Sequence, residues 1–298
     1  MQTIQTNNYT FSYVEDGEGP FVIFIHGSLD DYRCWENQMQ PFAQQFHVIA
    51  YSRSYHYPNN SAEAYSDYTV LQHSKDLIAF IKALDIESVN VVCSSYGGYA
   101  ALLTAINHPD LINSLVLGEP PVIPLLVSNV DNPLQAVSLL LKDFSAGRSF
   151  LKFGMQAMAP AKKQLHKGNL KEGVRLFADG VFGKGAFEQL PNQIKAYIMD
   201  NAPALKAELL GSGFPHEFPK KEASKLQVPT LLVNGGKTPK FFHAICNKLY
   251  KLLPNVQQLT IPDASHDMHS GKPGAYNEKV LEFLLHHNKA VEKHNKID

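Results

Sequence analysis

Cysteine is scarce in this chain of 298 residues: Cys34, Cys93 and Cys246 are an odd set of three, far apart in the sequence. That excludes a disulfide framework and the paired spacing of a zinc knuckle, and it points to a reducing compartment. An imbalance of charge is missing too. Lys+Arg number 27 against 28 Asp+Glu, a net charge of −1, with no basic block beyond pairs such as Lys162-Lys163 and Lys220-Lys221. No broad field draws the chain to nucleic acid or to an anionic membrane. No apolar run approaches the roughly 20 residues that span a bilayer, and Met1 to Asn8 is polar, without the basic start and apolar centre of a secretory signal. A soluble, cytoplasmic protein is expected, with no nucleic acid, membrane or metal partner.

What is present is apolar content for a large core, 44% of residues. Ile4 to Thr6 and Tyr9 to Val14, separated by Asn7-Asn8, predict a hairpin. Mostly continuous apolar runs follow at Phe21 to Ile25, Phe46 to Ala50, Val89 to Val92, Leu115 to Leu117, Thr230 to Val233 and Val256 to Ile261. Runs of this kind suit strands covered on both faces. Helical spacing lies between them, at Leu71, Leu77, Ile78, Ile81 and Leu84, and at Phe241, Ile245, Leu249 and Leu252. The alternation predicts an α/β fold with a mostly parallel sheet of about eight strands and helices on both faces. It stops between residues 121 and 225, where patterns such as Leu134, Val137, Leu141 and Phe144 read as helix. Because strands resume at Thr230, the expected organisation is a core of residues 1–120 and 226–298 with an inserted helical cap, 121–225, over the carboxyl edge of the sheet, where open α/β sheets bind ligands.

Val89 to Ser94 runs into Ser95-Tyr96-Gly97-Gly98 and then the helix-forming Tyr99 to Leu103. A sharp strand-turn-helix needs small residues two before and two after its central residue, and it lifts that side chain clear of the sheet. Cys93 and Gly97 flank Ser95 in this way, whereas Ser94 would be followed by the bulky Tyr96. Ser95 is therefore the candidate nucleophile. A serine hydroxyl needs a neutral imidazole to take its proton. His266, in the Pro/Asp/Ser loop after the last predicted strand, is the candidate base among thirteen histidines, with His269 its nearest rival. His286 and His287 fall late in a helix and need no catalytic role.

The elbow around Ser95, the His26-Gly27-Ser28 turn after a strand, and the His266 segment together resemble the α/β-hydrolase family over nearly the whole chain outside the cap. The resemblance implies an oxyanion site made by the backbone N–H groups of Ser28 and Tyr96, each such donor being worth about 3 kcal/mol in a transition state. It also implies an acid after the penultimate strand. Thr238 stands where that Asp is usually found, in Asn234-Gly235-Gly236-Lys237-Thr238-Pro239. Glu119, just beyond the strand Leu115 to Leu117 and stiffened by Pro120-Pro121, is the alternative acid, as in some members of the family, and Asp263 is third. The order Ser95, Glu119, His266 agrees with the family's nucleophile, acid, base order.

The expectation is a cofactor-independent, esterase-like serine hydrolase acting on a small-molecule ester or lactone. A carbon–carbon bond hydrolase of the same fold and a non-catalytic small-molecule receptor are the alternatives. Leu29, Trp35 and His56 are weaker candidates for the substrate pocket, and Leu125, Leu126, Val127, Leu139, Leu140, Phe150 and Phe153 give the cap an apolar character. Cys93 precedes the bend and is expected to pack inward.

Overall fold

The computed structural model describes residues 1–6, 9–59, 68–211, 213 and 217–294. Eight strands form one sheet: β1 (Gln2–Gln5), β2 (Thr10–Asp16), β3 (Phe21–Ile25), β4 (His47–Tyr51), β5 (Val89–Ser94), β6 (Ile112–Gly118), β7 (Thr230–Gly235) and β8 (Val256–Ile261). Their order is β1-β2-β4-β3-β5-β6-β7-β8. β1 pairs antiparallel with β2 and β2 antiparallel with β4, while every later pair is parallel. The predicted hairpin turn, Asn7-Asn8, lies outside the described residues.

The continuous apolar strands are explained by their two buried faces. Ile23, Ile25, Val91, Cys93, Leu115, Leu117 and Leu232 point to one core, and Val22, Phe24, Val92, Val116, Leu231 and Val233 to the other. The period of two along each strand sends alternate side chains to opposite faces. Helices α1 (Glu36–Ala43), α2 (Val70–Ala83) and α3 (Ser95–Asn107) follow β3, β4 and β5. The helices α4 (Pro133–Lys142), α5 (Phe144–Phe153), α6 (Ala159–His166), α7 (Leu170–Phe182), α8 (Ala186–Gln189), α9 (Asn192–Asp200), α10 (Ala202–Leu210) and α11 (Lys220–Ala223) lie between β6 and β7. α12 (Lys240–Leu252), α13 (Met268–Gly271) and α14 (Pro273–His294) complete the chain. None of the described helices is long and apolar enough to cross a membrane.

The side chains of α2, α3 and α12 join the first core; those of α1 and α14 join the second. Between β6 and β7 the described residues contain no strand. That stretch builds a third cluster from Ala161, Leu165, Val174, Ala178, Phe187, Ile198, Leu205 and Leu209, and Leu29 from the turn after β3 is inserted into it. Phe150 and Phe153 dock on Phe241 of α12, with ring centroids 6.0 and 5.2 Å away. The stripe Leu134, Val137, Leu141 and Phe144 does fall on helices, but all four side chains face outward, so helical spacing here marks an exposed face.

Trp35, expected near a pocket, and His269, the rival base, both belong to the interior. Trp35 is fully buried, stacked on Phe24 at 5.0 Å and beside His269 at 4.5 Å. Aromatic burial of this kind contributes about 2–3 kcal/mol, so Trp35 is placed by packing. His269, the rival base, is equally enclosed, and desolvation lowers its pKa to about 3. A histidine so depressed stays neutral in the fold while the unfolded chain takes a proton below about pH 6.5, so stability is present above that value and is lost as pH falls toward 3. Replacing His269 with Phe is expected to reduce the stability lost between pH 6 and pH 4 by about 2–3 kcal/mol, measured by urea unfolding at the two pH values. Identical losses in the variant and the wild type would contradict this placement.

Candidate functional site

The site collects at the carboxyl edge of the sheet. Five non-glycine residues in the left-handed region lie there, Leu29, Tyr55, Ser95, Glu119 and Asp263, after β3, β4, β5, β6 and β8 respectively. Such conformations cost of order 1–3 kcal/mol each and persist only where surrounding contacts enforce them. At Ser95 (φ 49°) the chain turns from β5 directly into α3. Gly97 is required by this turn: a Cβ there would stand 2.3 Å from the carbonyl oxygen of His26. Cys93 takes the earlier small position without conflict, since its thiol is buried and donates to the Val116 carbonyl at 2.9 Å. Burial pushes that thiol well above its ordinary pKa, which leaves it inert. Ser94 is buried, whereas Ser95 is partly exposed.

His266 and Glu119 meet. Nδ1 of His266 lies 2.6 Å from Oε2 of Glu119, and Glu119 is fully buried. The other carboxylate oxygen, Oε1, accepts from the Gly235 backbone N–H at 2.8 Å and from the Thr238 hydroxyl at 2.7 Å. Thr238, at the position where an acid would be usual, thus supplies a donor to the carboxylate that comes from β6. With Oε1 occupied, Oε2 is left to accept the Nδ1 proton, which leaves Nε2 of His266 as the basic nitrogen. The imidazole stacks on Phe242 at 4.3 Å. Asp263 points away, paired with Lys237 at 2.8 Å and largely exposed. Among the described residues the hydrogen bonds of His266 reach Glu119 and not Ser95. In an empty site the nucleophile–base bond is often long and closes only around substrate.

The turn after β3 passes directly over Ser95: a Cβ on Gly27 would lie 3.0 Å from the Ser95 Cβ. The Ser28 hydroxyl donates to Glu208 Oε1 of α10 at 2.8 Å. Tyr96, the residue after Ser95, lies in the first turn of α3, where backbone N–H groups lack intrahelical acceptors. Leu29 is buried in the helical cluster of the insertion. His56 is fully buried and does not line an open pocket: Nδ1 donates to the Asp30 carbonyl at 2.7 Å, and Nε2 accepts from Arg53 Nη2 at 3.1 Å.

Charged residues of the loops after β3 and β4 complete the surroundings. Arg53 is buried and donates through Nη2 to the Gly27 carbonyl at 2.9 Å. Asp30 accepts from the Tyr197 hydroxyl of α9 at 2.9 Å, and desolvation raises its carboxyl to about 7. Asp31 accepts from Arg33 and from Asn201, both at 2.7 Å, and Arg33 also bridges to Asp200 at 2.9 Å. No local motif announces the pairs Asp30–Tyr197, Asp31–Asn201 and Arg33–Asp200, because each joins residues more than a hundred positions apart. A cleft of about 720 Å³ reaches Thr238 and Phe182, and Lys152, Lys184 and Lys240 stand on its walls. Among the described residues no group of three His, Cys, Asp or Glu side chains is placed to hold a metal ion.

Curated relatives match the chain in sequence, and solved structures match it in fold. An uncharacterized protein of Mycobacterium bovis is 31% identical over 117 residues, 39% of this chain and 34% of its own length. The match thus spans about a third of that relative. A 2-(acetamidomethylene)succinate hydrolase of Mesorhizobium japonicum is 21% identical over 283 residues, 94% of each chain. The enol-lactonase from Burkholderia xenovorans superposes with a TM-score of 0.70 at 18% identity, covering 95% of this chain and all of that one. Finally, a family model for the alpha/beta hydrolase fold matches residues 20–273, from the edge of β3 to the first residue of α14, and the chain belongs to that family.

Proposed function

We propose that this chain is a serine hydrolase that cleaves a small to medium carboxylic ester or lactone through an acyl-enzyme on Ser95. The 2.6 Å contact between His266 and a fully buried Glu119 carries the reading, since it fixes the imidazole in the tautomer a general base requires. The Ser95 hydroxyl attacks the carbonyl carbon as its proton passes to Nε2 of His266. Nδ1–H remains bound to Glu119, whose negative charge stabilises the imidazolium. The N–H groups of Ser28 and Tyr96 receive the oxyanion. His266 then returns the proton to the leaving alcohol, and water repeats the sequence to release the acid. Side chains and backbone suffice for each step, so the scheme needs no cofactor. A serine at the elbow is unsuited to the alkyl-enzyme ester chemistry of dehalogenases, which requires a carboxylate nucleophile.

In this reading residues 121–225 act as a cap over the core of 1–120 and 226–298. Leu29, reaching from the turn after β3 into the helical cluster, ties cap and core together. The three cysteines are free thiols, as suits a protein working in the reducing cytoplasm.

A narrower reading of the substrate takes the cleft beside Thr238 and Phe182, which is lined by neither Ser95 nor His266, as the seat of its acyl group. Lys152, Lys184 and Lys240 line it without an ion-pair partner among the described residues, which suits a substrate that carries a carboxylate. The succinate derivative named for the Mesorhizobium relative has the same character.

Ester turnover separates a hydrolase from a non-catalytic receptor. With a short-chain nitrophenyl ester, Ser95→Ala is expected to lower kcat by about 10⁵-fold or more and Ser94→Ala to leave it largely intact. Glu119→Gln should reduce kcat by roughly 10³- to 10⁴-fold, and adding Thr238→Asp should restore about tenfold. Near-wild-type turnover for Glu119→Gln would end the assignment of the acid. For the carboxylate reading, the ratio of kcat/KM for nitrophenyl hemisuccinate over nitrophenyl butyrate should fall about tenfold when Lys152, Lys184 and Lys240 are changed together to Gln. An unchanged ratio would remove that reading while leaving the hydrolase assignment in place.

A further inference from the structure

The N–H of Ser28 belongs to the same peptide unit as the carbonyl of Gly27, and in a trans peptide the two point in opposite directions. Whatever fixes that carbonyl therefore aims the N–H. Two donors hold it: Arg53 Nη2 at 2.9 Å and His26 Nδ1 at 2.9 Å. The His26 tautomer is set, because Nε2 accepts the Arg53 backbone N–H at 2.9 Å and leaves the proton on Nδ1. Burial and the neighbouring Arg53 charge keep the ring neutral, well below its ordinary pKa.

Arg53 is 1% exposed, and a guanidinium at that depth needs a counter-charge. Glu208 of α10, 4% exposed, reaches Arg53 through the Tyr68 hydroxyl, which lies 3.4 Å from Arg53 Nη1; burial raises the Glu208 carboxyl and the Arg53 charge opposes that rise. Oε2 of Glu208 accepts from the Tyr68 hydroxyl at 3.2 Å, and its Oε1 accepts from the Ser28 hydroxyl at 2.8 Å. The Gly27–Ser28 peptide is thus gripped on one side by Arg53 and on the other, through the Ser28 side chain, by the acid that Tyr68 links to Arg53.

We infer that Glu208 is a positioning residue for oxyanion stabilisation, a carboxylate from the helical insertion that orients the Gly27–Ser28 peptide through Ser28 and the buried Arg53. The inference rests on the serine-hydrolase reading and extends it. Docking of α10 and alignment of the Ser28 N–H are one event, so the insertion completes the catalytic site as well as covering it. Neither the turn after β3 nor the insertion does this alone.

The test compares wild type, Ser28→Ala, Glu208→Gln and the double variant on nitrophenyl butyrate. Inhibition by a trifluoromethyl ketone, whose adduct with serine carries an oxyanion, is measured beside that of the matching methyl ketone. Ser28→Ala removes only a hydroxyl, so it stays informative even if Glu208→Gln folds poorly. Removing a whole oxyanion donor costs about 10²- to 10³-fold, so misaligning one is expected to lower kcat about tenfold. Ki for the trifluoromethyl ketone should rise by the same factor, with Ki for the methyl ketone within twofold. A lower fraction of active protein changes kcat and leaves both Ki values alone, which separates positioning from loss of structure. The double variant should be no worse than the poorer single variant, because both changes disrupt one contact. Full trifluoromethyl ketone affinity in Ser28→Ala, or losses that multiply in the double variant, would overturn the inference with the hydrolase reading intact. Absence of ester turnover in the wild type would overturn both.

Discussion

The site depends on one carboxylate held in a fixed orientation without exposure to water. Glu119 is an ionisable group in the interior, and burying such a group is unfavourable unless its oxygens are satisfied. The Gly235 N–H and the Thr238 hydroxyl satisfy one oxygen, and His266 takes the other at 2.6 Å. Removing one partner of a buried pair leaves a desolvated group behind, at a cost of about 3–5 kcal/mol, so the pair also holds the fold at this edge. The left-handed backbone at Glu119 (φ 46°) is a consequence. The chain must turn sharply as β6 ends if a side chain from that strand is to reach across the end of β7.

That reach explains how the site works around a threonine at a position usually held by an acid. β6 and β7 are neighbours in the sheet, so their tips are a single strand spacing apart. An acid on either tip can meet an imidazole that follows β8. Thr238 keeps a role at the β7 tip, where its hydroxyl donates to Glu119, the carboxylate that replaces an acid at that tip. The same edge brings the His26-Gly27 backbone close over the elbow, with Gly97 leaving room that any side chain would fill.

The fold was legible because its strands are apolar on both faces: runs such as Phe21–Ile25 and Val89–Val92 carry one core on even positions and another on odd ones. Ser95 was legible from the size of its neighbours, and His266 from its place after the last strand. Glu119 came from the family resemblance, which implies an acid at the tip of β6 where Thr238 leaves none at the tip of β7. The orientation of side chains just past a strand was not legible. Trp35 and His56 follow strand ends, as pocket residues do, yet one stacks on Phe24 and the other is enclosed beside Arg53. Period located α4 but not its buried face, since the apolar stripe at Leu134, Val137 and Leu141 faces outward. The network of Arg53, Glu208 and Ser28 is invisible in one dimension, since 155 residues separate Arg53 from Glu208 and neither stands in a motif. Only the folded arrangement shows that the insertion reaches the turn after β3.

The central claim is that Ser95 is activated by the His266–Glu119 pair. Labelling with a fluorophosphonate, followed by peptide mapping, tests it without knowledge of the substrate. The account predicts a single adduct on Ser95 that forms quickly in the wild type and at least a hundredfold more slowly in Glu119→Gln. An adduct on Ser94, or labelling of Ser95 at the same rate in both proteins, would contradict it.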